Sequence, residues 1–280
     1  MIFKEVVLTI DPVAFRLFNM EIRWYGLLIA FGLIAGIIIS YLTAKYRKFK
    51  ADEILNFAPF AIIAGIIGAR LLHVIVNWSY YSKNLSSIFA FRQGGLAIQG
   101  VIIGGFIALI IFARVRKIDL WGFADCMAPS LALAQAIGRW GNFFNQEAYG
   151  KPTAAKIGIF ISPENRLRGY ESFEYFHPTF LYESIANILL FIILMILHAV
   201  FRKKEDKIPN GVIFNLYLII YSLYRVFIEY YRIDSSMLGS IKVVYIISGL
   251  TIIAAFIILN VLANRFIAKK RTESENTEEK

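Results

Sequence analysis

Apolar residues run in long blocks along this chain, divided by short polar stretches that hold most of the charge. A helix needs roughly 20 apolar residues to cross about 30 Å of hydrocarbon. Seven blocks meet that length, at about 24–43, 54–76, 95–113, 120–138, 179–200, 211–231 and 242–264. The fourth is the least uniform, because Asp125, Pro129 and Gln135 interrupt it. Glycines stud the second and third (Gly65, Gly68; Gly100, Gly104, Gly105), as expected where helices pack closely in lipid. The pattern predicts an all-α polytopic membrane protein with about seven transmembrane helices.

Between the fourth and fifth blocks lies the one long extramembrane stretch, about 140–178. Gly150, Pro152, Gly158, Pro163 and Gly169 cut it into short β-prone pieces, so a small irregular or β-containing insertion is expected there. Residues 1–271 read as one membrane-embedded domain, and 272–280 (TESENTEEK) as a disordered cytoplasmic tail. In the first 23 residues Glu5, Asp11 and Glu21 interrupt any apolar core, so the segment reads as a partly amphipathic outer-surface lead-in, not a cleavable signal. No inverted repeat of the transporter kind is visible in the sequence.

Composition supports the membrane reading. The 280 residues are 58% hydrophobic and 18% charged, against about 45–50% and 25% in ordinary soluble domains. A single cysteine, Cys126, and 15% aromatic residues exclude disulfide-rich and disordered classes. The net charge of +10 reports topology rather than nucleic acid. Fifteen of the 30 basic residues follow the first, third, fifth and seventh blocks, among them Lys45, Arg116, Lys204, Lys207 and Lys270. The short loops of the opposite parity hold only Lys83, Arg92, Arg232 and Lys242, so the N-terminus is expected outside and the C-terminus in the cytoplasm.

With that orientation the polar side chains gather at one depth. Tyr25, Arg70, Gln99, Arg139, Asn142, Glu147, His177, Tyr182, Glu183, Tyr221, Arg225 and Glu229 all fall in the outer half, and the inner half has chiefly Asp125. Tyr221, Arg225 and Glu229 are spaced i, i+4, i+8 and share a helical face. Charge at membrane depth is expensive and points to function, and the asymmetry favours a site facing the outer leaflet over a conduit. Structural readings stand beside this one. Arg225–Glu229 also reads as a plain ion pair, and Arg70 as a snorkelling side chain or a partner of Glu183. His73, His198 and Cys126 read as structural, and Trp78, Tyr80 and Tyr81 as an interfacial belt. Three histidines and one cysteine leave no dedicated metal site in view.

The densest run is Gly138-Arg139-Trp140-Gly141-Asn142-Phe143-Phe144-Asn145-Gln146-Glu147-Ala148-Tyr149-Gly150. An arginine among amides and a carboxylate can hold a phosphate and fix its orientation; a hydrogen-bonded helix-exit loop is the plainer alternative. The run resembles the signature of the bacterial prolipoprotein diacylglyceryl transferases, G-R-x-G-N-F-x-N-x-E-x-x-G, at every specified position. Family-like pieces continue with Arg23-Trp24-Tyr25-Gly26, Gly68-Ala69-Arg70, Gly94-Gly95-Leu96, His177-Pro178-Thr179, Leu181-Tyr182-Glu183 and Tyr221…Arg225…Glu229. One position departs: many members have a histidine where this chain has Gln99, which takes no proton at neutral pH.

The resemblance implies a bacterial cytoplasmic-membrane enzyme. It would transfer the diacylglyceryl group of phosphatidylglycerol to the lipobox cysteine at a prolipoprotein signal peptide, forming a thioether and releasing glycerol phosphate. Its partners would be those substrates and the membrane lipid bilayer, with no nucleic acid, metal or organic cofactor. We expect Arg139, Arg225, Glu147, Tyr25, Gln99 and Glu229 to be catalytic. Arg139, Asn142, Asn145, Gly150, Arg70, Tyr182, Glu183 and Tyr221 are expected to bind substrate. A non-catalytic transporter or anionic-lipid-binding protein is the alternative, and an intramembrane protease lacks its serine–histidine or paired-aspartate residues within the blocks.

Overall fold

The structure, a computed structural model, describes residues 10–18, 20–90, 94–203 and 208–278. Glu5, Arg92, Lys204, Lys207 and the last two residues of the expected tail lie outside the described residues. A short hairpin, β1 (Val13–Leu17) and β2 (Met20–Arg23), leads into α1 (Trp24–Tyr46). Then come α2 (Asp52–Val76), the single turn α3 (Trp78–Tyr81), a 3-10 turn Leu85–Phe89, α4 (Ile98–Arg116) and α5 (Leu120–Phe144). The insertion carries β3 (Ile159–Phe160) and β4 (Tyr175–Phe176), an antiparallel pair. The chain closes with α6 (Thr179–Arg202), α7 (Val212–Glu229), a second small hairpin of β5 (Met237–Leu238) and β6 (Ile241–Lys242), and α8 (Val243–Glu278).

Six helices, α1, α2, α4, α6, α7 and α8, are long and apolar enough to cross a membrane. The chain is a helical, multi-pass membrane protein. The fourth expected block is present as α5, 25 residues long, but Asp125, Pro129, Gln135 and Arg139 keep it out of the apolar set. It also runs past 138 to Phe144, so the first half of the signature is helix and not an exit loop. α8 stays helical to Glu278, into the stretch expected as tail.

Two compact units divide the chain, residues 41–124 and residues 1–40 with 125–280. In the smaller, α2 and α4 cross at glycines: a Cβ on Gly68 would run into the Gly100 carbonyl, and one on Gly104 into that of Ala64. Only glycine lets the two backbones approach that closely. At one end of the pair Arg116 forks onto Glu53 (Nη2–Oε1 2.7 Å, Nε–Oε2 3.0 Å), and Phe57, Phe112 and Phe123 pack nearby with centroids 5.2–6.1 Å apart.

In the larger unit α5, α6 and α7 share a core of Ala128, Ala132, Leu190, Leu194, Ile213 and Tyr217. Ser40 bonds Ser130 (2.7 Å), and Gly32 lies against the Ala134 carbonyl, which seats α1 on α5. Asp125, the carboxylate expected in the inner half, has a structural role here. Its two oxygens accept the Gly211 and Phe214 amides, both at 2.8 Å, and so satisfy donors at the start of α7. Pro129 has no N–H and so cannot make the i→i−4 bond to the Asp125 carbonyl. His198 Nε2 stands 3.0 Å from that carbonyl. Cys126 is buried and forms no disulfide.

Candidate active site

The site is built on the last turns of α5. Arg139 projects from the helix, and its Nη2 lies 2.7 Å from Glu183 Oε2 on α6. Its Nη1 donates to Asn142 Oδ1 at 3.3 Å, one helical turn on. Asn142 Nδ2 in turn donates to Glu147 Oε1 (2.9 Å), which also accepts from Asn145 Nδ2 (3.3 Å). Glu147 is held by its neighbours: Gln146 and Ala148 are both left-handed, at φ 49° and 57°. Such conformations cost of order 1–3 kcal/mol each outside glycine and persist only where the surroundings impose them. Here Gln146 Oε1 accepts from the Ser162 amide (2.7 Å) and Asn165 Nδ2 (3.3 Å), and Ala148 accepts from the Thr179 hydroxyl.

Glu183 is the hub. It is 1% exposed, so it meets no open space, and it faces three arginines. Besides Arg139, its Oε1 lies 3.6 Å from Arg225 Nη1 and 3.3 Å from Arg232 Nη1. Arg225 Nη1 also meets Glu229 Oε2 at 2.8 Å along α7. Arg232 forks onto Asp234 (Nε–Oδ1 2.9 Å, Nη2–Oδ2 2.7 Å) and reaches Glu229 at 4.0 Å. Burial opposes the charged form of Arg232, but Asp234, Glu183 and Glu229 outweigh it and hold its pKa above the ordinary value. Three arginines thus share two buried carboxylates and Asp234. Arg139 is the most open of them, its side chain 25% exposed against 11% and 12% for Arg225 and Arg232.

Two aromatic contacts seat α1 against the signature. A Cβ at Gly141 would stand 2.5 Å from Tyr25 Cδ2, so the glycine makes room for that ring. Trp24 stacks on Phe144 at 4.9 Å and 17°. Gly150 ends the signature where three strands of chain meet: its Cβ would touch His177, Thr179 and the Tyr231 carbonyl at 2.9–3.0 Å. Glycine is required there by crowding. His177 Nδ1 lies 3.0 Å from the Tyr182 hydroxyl, and its ring stands 5.0 Å from that of Tyr231. Burial, and then Lys151, push the His177 pKa below its ordinary value. Lys242 Nζ donates to the Glu229 and Arg232 carbonyls (2.6 and 2.8 Å) at the C-terminal end of α7. Tyr221 stacks on Tyr217 with centroids 5.9 Å apart and meets Tyr224 edge-on at 5.4 Å.

Arg70 and Gln99 belong to the smaller unit. The Arg70 guanidinium is buried and donates to main-chain carbonyls: Ile88 at 2.8 Å, Gly94 at 2.7 Å, Ser87 at 2.5 Å and Gly95 at 3.1 Å. It clasps the turn before α4, where Gly94 and Gly95 are left-handed at φ 83° and 77°. Neither expected partner, a phosphate or Glu183, is needed to account for it. His73 closes against Gly95 beside Arg70 and meets the Tyr81 ring edge-on. Gln99 is exposed in the first turn of α4. Among the described residues no three His, Cys, Asp or Glu side chains converge as a metal site would require.

The structure brings together Tyr25, Arg139, Asn142, Asn145, Glu147, Gly150, Tyr182, Glu183, Arg225 and Glu229 within the larger unit. Sequence reasoning missed Arg232 as a member of the network. It lies three residues after Glu229 and seven after Arg225, so the helical spacing that picked out those two extends to it.

Known proteins resemble the chain over most of its length. A family model described as prolipoprotein diacylglyceryl transferase matches residues 12–261. The chain is 45% identical over 237 residues, 85% of each chain, to the phosphatidylglycerol–prolipoprotein diacylglyceryl transferase of Acaryochloris marina (strain MBIC 11017). It is 41% identical over 268 residues to the protein of that name in Clostridioides difficile (strain 630), covering 96% of this chain and all of the relative. The match to the Clostridium botulinum (strain 657 / Type Ba4) protein of the same name is 44% over 259 residues, 91% of this chain and all of the relative. With every specified signature position met and nearly the whole length aligned, the chain belongs to the prolipoprotein diacylglyceryl transferase family.

Proposed function

We propose that the chain transfers the diacylglyceryl group of phosphatidylglycerol to the lipobox cysteine of a prolipoprotein. The thiol gives up its proton and the sulfur bonds to the glycerol carbon. The bond from that carbon to the phosphate oxygen breaks, and glycerol phosphate leaves. The nucleophile is the substrate's own sulfur, so the enzyme needs none. Its work is to hold an anionic headgroup and stabilise charge on the departing phosphate.

Arg139 binds the phosphate, with Arg225 beside it. Glu183 and Glu229 act as positioning residues, fixing the arginines from the buried side. Asn142, Asn145 and Glu147 orient Arg139 and accept hydrogen bonds from the glycerol headgroup. Tyr25 forms one wall, and Gln99 supplies hydrogen bonds without taking a proton. Arg70 leaves the substrate-binding set and serves its turn. The observation that carries this reading is Arg139, the most open arginine of the network, held at 2.7 Å by a carboxylate that is itself 1% exposed. The membership of the family and the names of the relatives support the same reaction.

In this reading α5 is a seventh crossing. The N-terminus and the 145–178 insertion lie outside, the C-terminus lies in the cytoplasm, and the site faces the outer leaflet of the bacterial cytoplasmic membrane. The distribution of Lys and Arg supports that orientation. The test is turnover of phosphatidylglycerol with a lipobox peptide, read as the diacylglyceryl adduct by mass spectrometry. Arg139→Ala and Arg225→Ala are each expected to lower turnover roughly 100-fold or more. Near-normal turnover in both would overturn the assignment, and absence of any adduct with the unaltered chain would overturn the reaction.

A further inference from the structure

The β1–β2 hairpin is amphipathic in a way that the site does not use. Its register pairs Phe15 with Ile22, Arg16 with Glu21 and Leu17 with Met20. Side chains alternate along a strand, so Phe15, Leu17, Met20 and Ile22 share one face. Arg16 and Glu21 share the other, joined by a 3.0 Å ion pair. The apolar face is uncovered: Phe15 is 50%, Leu17 49% and Met20 61% exposed, and Phe18 at the turn is 90% exposed. A two-stranded hairpin is marginal in water, and a continuous exposed apolar face marks a contact surface.

The position of the hairpin says what covers that face. β2 ends at Arg23 and α1 begins at the next residue, Trp24, whose amide donates to the Pro12 carbonyl at 3.0 Å. The base of the hairpin is therefore fastened to the first turn of a membrane-crossing helix. α1 itself carries exposed apolar side chains, such as Ile29 and Phe31, as a lipid-facing helix does. Trp24 and Tyr25 at the junction are the residue types that sit at headgroup level.

We propose that the β1–β2 hairpin is an interfacial membrane anchor. It lies in the bilayer surface at which α1 begins, with Phe15, Leu17, Met20 and Ile22 in the acyl boundary and Arg16 and Glu21 among headgroups and water. Trp24 stacked on Phe144 and Tyr25 under Gly141 then couple the anchor to the signature helix, so that the hairpin sets the depth of Arg139 in the leaflet. The anchor requires only that α1 crosses a membrane. Its role in setting depth rests on the proposed function.

The test uses the full chain with Cys126→Ala, reconstituted in vesicles of phosphatidylglycerol and phosphatidylethanolamine. Nitroxide labels are placed singly through Phe15→Cys, Arg16→Cys, Leu17→Cys, Met20→Cys and Glu21→Cys. Power saturation with oxygen and with a water-soluble nickel chelate reports depth. Positions 15, 17 and 20 are expected to favour oxygen and positions 16 and 21 nickel, in strict alternation. Nickel access at all five would mean a hairpin free in water, and immobile labels closed to both reagents would mean a protein partner; either overturns the anchor. A second variant, Leu17→Asp with Met20→Asp, is expected to raise the KM for vesicle phosphatidylglycerol several-fold, with kcat retained in detergent micelles. An unchanged KM would overturn the setting of depth. The label measurements need no activity, so they stand apart from any failure of the proposed reaction.

Discussion

Glu183 Oε2 and Arg139 Nη2 stand 2.7 Å apart, the carboxylate closed to water and the guanidinium a quarter open to it. One end of the pair is fixed by burial and the other presents donors outward. A guanidinium has five N–H donors, and Glu183 and Asn142 engage only part of that fork. The carboxylate thus aims the arginine without consuming it. Bringing such charges out of water is costly, and the arrangement holds because each buried oxygen meets a cation.

Glu183→Gln keeps the shape of the hub and removes its charge. Arg139, Arg225 and Arg232 would then share Glu229 and Asp234 alone. Breaking a buried ion network from one side costs about 3–5 kcal/mol. We expect that loss in chemical denaturation of the detergent-solubilised protein. Turnover should fall further than the folded fraction does, because Arg139 loses its aim; a fall that only tracks unfolding would leave Glu183 a purely structural residue.

Gln99 is expected to matter moderately. A neutral hydrogen bond is worth roughly 0.5–1.5 kcal/mol net, so Gln99→Ala should lower turnover about tenfold or less. Complete inactivation in the same adduct assay would give this side chain a larger part than hydrogen bonding.

His177 makes stability depend on pH. Burial first, and Lys151 second, place its pKa below the ordinary 6.5. Below that pH the unfolded chain binds more protons than the folded one, so stability rises with pH through this window. The contribution is undiminished above pH 6.5 and is lost as the pH falls through the folded pKa. The thermal midpoint in detergent should therefore drop from pH 6.5 towards 5, and His177→Gln should flatten the slope. An identical slope in the variant would exclude His177 as its source.

Pro129 and His198 should be coupled. Pro129→Ala restores an amide donor for the Asp125 carbonyl, which His198 Nε2 otherwise approaches at 3.0 Å. His198→Phe is expected to cost about 1 kcal/mol in the unaltered chain and less beside Pro129→Ala. A double-mutant cycle from denaturation midpoints measures the difference. A coupling of zero would mean that His198 serves some other atom.

Much of the fold was legible because apolar block length decides a membrane helix. The expected 54–76 became Asp52–Val76, and 179–200 became Thr179–Arg202. The end of α5 was misread, since glycines and asparagines usually terminate helices, whereas here Asn142 turns its amide onto Glu147 and the helix runs to Phe144. In the site, Arg139, Arg225 and Glu229 were visible as charges at membrane depth. The direction each side chain takes was not. Arg70 turned to the carbonyls of the turn before α4, 17–25 residues on, and Glu183 to three arginines more than 40 residues away, because partners distant in sequence decide both the pairing and the burial. Arg232 fell outside the counted block, and only the continuation of the α7 face would have found it.

The crossing at Gly150 has a consequence for biogenesis. The Gly150 amide bonds the His177 carbonyl (2.9 Å), Lys151 bonds Tyr231 (2.8 Å), and Gly150 bridges Arg232. A ribosome makes residue 150 some 80 residues before residue 231, and with the latter come Arg225 and Glu229. The end of the signature therefore has its partners around 162–179 first, and lacks those at Tyr231 and Arg232 until α7 has entered the membrane. A nascent chain stopped after α6 holds Arg139 and Glu183 but neither the strand that locks the turn nor the second arginine, so competence arrives late in synthesis and in a single step.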